Sequence, residues 1–204
     1  MSDRPILFST LMVRAILEGR KTQTRRVVNT KGLDSLGPCG NSIAGDIHLA
    51  GRDWSGNSVL LRCPYGQPGD LLWVKETWQA WRYCSMEYDE WCLCDCPPSE
   101  ILERFGTPKL EYAATTESFG PWRPSIHMPR WASRITLKIV SVRIERLLNI
   151  SNEDCWDEGM CDATNPEVKA NRKWFSELWE SINGPGSWNA NPWVWVIQFK
   201  KVKP

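Results

Sequence analysis

The sequence predicts an α+β domain, a small curled β-sheet with helices packed on it. Three observations predict it. Helix-like and strand-like runs are mixed without a regular strand–helix–strand alternation. Thirteen tryptophans stand among 14 glycines and 14 prolines in 204 residues, a composition of short strands and shaped loops. The longest alternation, Ser133 to Leu147, runs through Ile135, Leu137 and Ile139 and then slips phase to Val140, Val142 and Ile144. A slip of one residue marks a β-bulge, a device that bends a strand. The length suits one domain, 1–204, with an elaboration, and is enough to bury a substantial core.

Each element has its own reason. Pro5 to Phe8 reads as a short apolar strand. Ser9 or Thr10 can cap the next helix, in which Met12, Ala15 and Ile16 share a face. Gly19 stands where a left-handed residue ends a helix. Arg20 and Lys21 therefore fall just past that end and complement the helix dipole. A strand begins at Thr24. Residues 29–57 turn to Gly, Ser, Asn and Asp without period, which predicts a long loop. Ser58 to Arg62 is a strand, and Gln67-Pro68-Gly69-Asp70 fits a type II turn.

Leu71 to Trp78 follows, with Leu72, Val74, Glu76 and Trp78 on one face. A carboxylate ending an apolar stripe needs a cation, and Lys21 or Arg26 can supply it. Residues 79–120 break the pattern and read as an insertion. After the long strand, Ser151 opens a short helix that Gly159 stops. A further helix is expected from Asn165-Pro166, with Phe175, Leu178, Trp179 and Ile182 on its core face and Gly184-Pro185 at its end. Trp193 to Phe199 closes as a strand apolar on both faces.

Charge excludes some classes and localises others. With 25 basic and 24 acidic residues, no global attraction to nucleic acid follows, so any basic footprint is local. The first 26 residues hold five arginines and one lysine against two acids. No apolar run reaches transmembrane length and no signal peptide is visible, so no membrane partner and a cytoplasmic location are expected. There is no dinucleotide fingerprint, P-loop or Ser-His-Asp order, and no cofactor is expected. Cys84, Cys92, Cys94 and Cys96 can supply four thiolates to a zinc. Single-residue spacings between the last three are poor for a tetrahedral site, so free thiols are expected instead.

The run Gly19-Arg20-Lys21-Thr22-Gln23-Thr24-Arg25-Arg26 aims an amine and a hydroxyl from a helix end and a strand start. Its pattern Gly19-x-Lys21-x-x-Thr24-x-Arg26 resembles the G-x-K-x-x-T-x-R signature of the ASCH family, a branch of the PUA-like β-barrels. The long form, with Pro129-Arg130-Trp131-Ala132-Ser133-Arg134 before a strand, is similar to prophage-borne members. The resemblance covers both ends of the chain and hardly touches 79–120. It implies a PUA-like barrel and a pocket for RNA or a modified nucleoside. One branch hydrolyses N4-acetylcytidine with a Lys, a Thr and a Glu, which implies Lys21, Thr24 and Glu76 here.

Three functions follow. In the first, an amidohydrolase acts on N4-acylated cytidine: Thr24 attacks, Lys21 takes its proton, and Glu76 orients the lysine or protonates the leaving amine. For this the Lys21 pKa must fall toward neutrality; the neighbouring arginines are the expected cause, and burial acts in the same direction. In the second, the same pocket binds RNA or a nucleoside without chemistry. The third is a ribonuclease for single-stranded RNA. Arg25, Arg26, Arg123, Arg130, Trp131 and Arg134 are the expected contacts to substrate or nucleic acid, through phosphate neutralisation and base stacking.

Overall fold

A computed structural model describes residues 2–30, 33–38, 48–53, 57–84, 90–92, 109–117, 121–160 and 171–202. The chain divides into two compact units. One comprises Met1–Arg4, Ala15–Leu72 and Thr136–Pro204, and the other Pro5–Arg14 and Trp73–Ile135. Secondary structure is mixed α+β, as expected.

A five-stranded sheet has the order β1 (Asp3–Leu7), β6 (Leu71–Lys75), β10 (Thr136–Arg146), β11 (Trp193–Val202), β2 (Gln23–Val27). β10, β11 and β2 lie wholly in the first unit. β11 pairs antiparallel with β10 on one side and with β2 on the other. Being central, it buries Val194, Trp195, Val196, Ile197 and Phe199 from both faces. The phase slip in β10 is a bulge: Ile139 faces Phe199 and Ser141 faces Gln198. Val140, the extra residue, is exposed.

The remaining strands of the first unit form a second sheet, β3 (Leu33–Pro38), β4 (His48–Asp53) and β5 (Ser58–Arg62). Residues 29–57, expected as a loop, thus carry two strands. Backbone pairing made them despite a side-chain composition with no period. The turn before β6 is as expected, with Gly69 at φ +97° and the Asp70 N–H donating to Gln67 O at 3.0 Å.

The helices follow their local signals. α1 (Thr10–Leu17) ends at Gly19, φ +78°, whose amide donates to Ile16 O. α2 (Asn152–Asp157) opens on a reciprocal capping box between Ser151 and Asp154 and closes at Gly159, φ +95°. α3 (Asn171–Asn183) ends at Gly184, φ +94°. Its expected start at Asn165-Pro166 lies outside the described residues. Phe175 and Trp179 are buried with Leu147, Ile150, Cys155, Val194 and Val196. Each such side chain contributes about 1.5–3 kcal/mol by leaving water. Ile182, expected in this core, is instead exposed, and Trp174 packs there in its place.

The second unit contains β7 (Trp78–Cys84), flanked by β8 (Glu90–Cys92) and β9 (Lys109–Tyr112). Its core joins Trp78, Ala80, Met128 and Ala132, with Leu110 and Tyr112 against them. Leu72, Val74, Glu76 and Trp78 are all buried, as the alternation predicts. Among the described residues, no helix is long and apolar enough to cross a membrane.

Candidate functional site

The site of the first unit starts from the end of α1. Gly19 reverses the chain so that the Arg20 and Lys21 amides both donate to Ala15 O, at 2.9 and 3.0 Å. Lys21 then forms a β-bridge with Glu158, and the Thr22 amide donates to Asp157 O at 2.9 Å. The signature run is thereby pinned on the C-terminal end of α2. Lys21 Nζ donates to Glu158 Oε2 at 2.7 Å and to the Glu158 carbonyl at 2.9 Å, with the lysine side chain fully buried.

Glu158 is shared. Its Oε1 accepts from Arg25 Nη1 at 3.1 Å, while Arg25 Nη2 meets Glu145 at 2.6 Å and Asp154 at 2.9 Å. Arg143 closes the network on Asp154 at 2.6 Å and Glu145 at 3.3 Å. Gln23 accepts from Arg143 at 3.0 Å and donates to Asp154 at 2.9 Å. Three cations, Lys21, Arg25 and Arg143, face three carboxylates, Glu145, Asp154 and Glu158. Such balance is what lets charge stay buried, since an unpaired buried ion costs several kcal/mol.

The electrostatics distinguish the members. Burial lowers the Lys21 pKa below that of an ordinary lysine; Glu158 opposes this, while Arg26 and Arg25 add to it. Both expected causes act, with dehydration ahead of the arginines. Burial alone would lower Arg25, but Glu158, Glu145 and Asp154 outweigh it and raise its pKa. Asp154 is pushed up by burial, yet hydrogen bonds from Gln23 and the Ser151 amide, with the charges of Arg25 and Arg143, hold it well below the usual carboxylate range.

Thr24 is buried on β2, paired with Ile197, and no hydrogen bond of its hydroxyl occurs among the described residues. Strand alternation sets Gln23 and Arg25 on one face of β2 and Thr24 and Arg26 on the other. Burial lowers the Arg26 pKa, with Tyr65 and Glu158 opposing. Arg25, expected to contact substrate, has a fully buried side chain committed to three internal carboxylates.

Gly159 fixes how Glu158 is presented. A Cβ at its position would lie 2.9 Å from Ala15 Cβ and 3.0 Å from Lys21 Cβ, and φ is +95° besides. Gly159→Ala is therefore expected to destabilise by about 1–3 kcal/mol, through strain and overpacking together. Urea unfolding measures it, and a wild-type midpoint would show that the turn relaxes freely.

Glu76 belongs to the second unit. Its carboxylate is 1 % exposed and takes a bidentate pair from Arg134, Nε to Oε1 and Nη2 to Oε2, both at 3.0 Å. Arg134, rather than Lys21 or Arg26, is the cation that Glu76 meets. Burial raises the Glu76 pKa, and Arg134 works against that rise. The guanidinium also lies 3.9 Å from the Tyr112 ring centre and donates to Thr115 at 3.1 Å. Arg134→Ala should cost about 3 kcal/mol, because it leaves a buried carboxylate alone. Glu76→Gln should cost about 1 kcal/mol, since the guanidinium is partly exposed and rehydrates. Equal losses in urea unfolding would refute that asymmetry.

Arg123 lies 5.5 Å from the Trp78 ring centre, Arg130 lies 5.8 Å from that of Trp73, and Trp131 packs edge-on to Trp78 at 5.9 Å. Trp131 is 43 % exposed. Cys94 and Cys96 lie outside the described residues, as do the side chains of Cys84 and Cys92.

The residue that sequence reasoning missed is Glu158. One signal was available. A carboxylate at a helix C-terminus opposes the helix dipole and needs a compensating cation. Ser151 and Gly159 delimit that helix in the sequence, and Glu158 stands at its last turn.

No family model matches the chain, and no curated protein matches it. Among solved structures it is similar to an ASCH domain from Lactobacillus crispatus JV V101, at 12 % identity and a TM-score of 0.38, over 98 % of this chain and 79 % of that one.

Proposed function

We propose that the chain is an amidohydrolase that removes the acyl group from an N4-acylated cytidine, with Thr24 as nucleophile and Lys21 as general base. The observation that carries this is the buried Lys21–Glu158 pair on the run that also holds Thr24. A lysine serves as a base only once it sheds its proton, and burial favours that loss. Glu158 takes the orienting role that the resemblance implied for Glu76. Held by Arg25 on one oxygen, it fixes Lys21 Nζ with the other.

The chemistry then balances in ordinary acyl-transfer steps. The Thr24 hydroxyl adds to the acyl carbon while its proton passes to the Lys21 amine. The tetrahedral intermediate collapses, the C–N bond breaks, and the ammonium returns the proton to the departing N4 amine. Water then hydrolyses the acyl-threonine and regenerates both groups. The substrate class comes from the signature run. The general-base assignment comes from the burial of Lys21.

The test is incubation of the purified chain with N4-acetylcytidine, following cytidine and acetate by chromatography. Stoichiometric release of both in repeated turnover is the expected result. Tight binding of the nucleoside without turnover would replace the hydrolase by a binding module. Neither binding nor turnover would end the reading.

A further inference from the structure

We propose that Arg143, which bonds neither Lys21 nor Glu158, is a positioning residue for the Lys21 amine. It holds the two carboxylates that hold Arg25, and Arg25 in turn sets how Glu158 meets Lys21. This role has chemical meaning only under the hydrolase reading, but its first test needs no turnover.

The bulge at Val140 is what brings Arg143 to the network. Val194, Val196 and Gln198 of β11 share a face with Val27, Arg25 and Gln23 of β2. On β10, Leu137 and Ile139 pair with Lys201 and Phe199 on the opposite face. Without the extra residue, Ser141, Arg143 and Glu145 would follow them there. With it they pair with Gln198, Val196 and Val194 and join Gln23 and Arg25. A bulge beside a site is a known way to re-aim side chains.

Two carboxylates then stand between two guanidiniums. Asp154 gives Oδ2 to Arg25 at 2.9 Å and Oδ1 to Arg143 at 2.6 Å. Glu145 gives Oε1 to Arg25 at 2.6 Å and Oε2 to Arg143 at 3.3 Å. Arg143 Nη1 also donates to Gln23 Oε1 at 3.0 Å, and Gln23 Nε2 donates to Asp154 at 2.9 Å. Arg25 Nη1 meets Glu158 Oε1 at 3.1 Å, the longest of its three ion-pair contacts.

Removing the Arg143 charge leaves Asp154 and Glu145 to Arg25 alone. Two anions then draw the Arg25 guanidinium away from its longest contact, and Glu158 directs more of its charge at Lys21. The network also loses a positive charge, so the ammonium meets less repulsion. Both effects favour the ammonium, the form that cannot act as a base. The other charges near Lys21 are Arg26 on β2, which opposes the ammonium, and Arg20, which pairs with Glu18 and donates to Gly159 O at 2.7 Å. Arg143 bonds neither of them.

The experiment follows the Lys21 amine by NMR across a pH series, in the full chain carrying isotope-labelled lysine, with Lys21→Met to assign the signal. Arg143→Gln should move the Lys21 midpoint up by about half a pH unit or more. Arg143→Lys keeps the charge but cannot bridge both carboxylates, so a smaller shift in the same direction is expected. Arg146→Gln removes an exposed guanidinium that rests on Trp193, outside the network, and should leave the midpoint in place. With N4-acetylcytidine, the rise of rate with pH should move by the same amounts. Melting curves confirm folding, which Arg143, with its side chain 35 % exposed, should tolerate. A midpoint unmoved in Arg143→Gln, or in Arg143→Lys where the glutamine variant does not fold, overturns the proposal, as does an equal shift in Arg146→Gln. A shifted Lys21 midpoint in a chain without turnover would uphold the positioning role and end the hydrolase reading alone.

Discussion

Lys21→Arg is expected to lose deacylation of N4-acetylcytidine as completely as Lys21→Ala. Arginine keeps the positive charge and can still reach Glu158, but it does not deprotonate. If Lys21 is the general base, the loss is about 10²–10⁴-fold for either variant. Thr24→Val keeps shape and removes the nucleophile, so a fall of about 10³-fold or more is expected, while Thr24→Ser retains part of the rate. The pH profile gives the sign. Below the lowered Lys21 pKa the amine is an ammonium and inactive, so the rate rises with pH through that value. Glu158→Gln removes the charge that favours the ammonium, and should move the rise to lower pH. A Lys21→Arg enzyme near wild-type activity would leave Lys21 as an electrostatic anchor for the ligand.

Arg25→Ala is expected to give the largest stability loss, about 3–5 kcal/mol, by stranding buried carboxylates. Arg25→Lys should recover only part, because one ammonium cannot span Glu145, Asp154 and Glu158 as a planar guanidinium does. The pH dependence follows from Asp154, whose folded pKa is depressed. Its contribution is present above its unfolded pKa of about 3.9 and disappears as pH falls through the folded value. Without Arg25 the depression shrinks, so the acid-side fall in stability should flatten. Urea midpoints from neutral pH into the acid range test both statements. A loss under about 1 kcal/mol would show that the carboxylates find water instead.

What was legible in the sequence was what local chemistry decides. Ser151, Gly159 and Gly184 bound their helices as expected, and Gly19 turned Lys21 onto its partner. The slip at Val140 is the bulge it predicted. What was not legible depended on partners far along the chain. Lys21 and Glu158 are 137 positions apart, and the family resemblance, with Glu76 at the end of an apolar stripe, made Glu76 look like the needed carboxylate. Arg25 read as a surface cation because nothing nearby announced Glu145 and Asp154. β3 and β4 were hidden for a different reason: their Gly-, Ser- and Asp-containing segments carry no apolar period, and only backbone pairing reveals them.

The placement of β11 between β10 and β2 sets a clock on biosynthesis. Gln23 waits for Gln198, 175 residues later, before its side-chain contact with the centre of the sheet can form. At about 5–20 residues per second, a ribosome takes roughly 9–35 s to deliver that partner. Until then β2 has an open edge and the apolar strand that will cover it is missing. Contacts this distant in sequence also close slowly once the chain is complete. The nascent chain therefore carries its signature run unassembled until β11 has been made, and chaperone demand should concentrate in that interval.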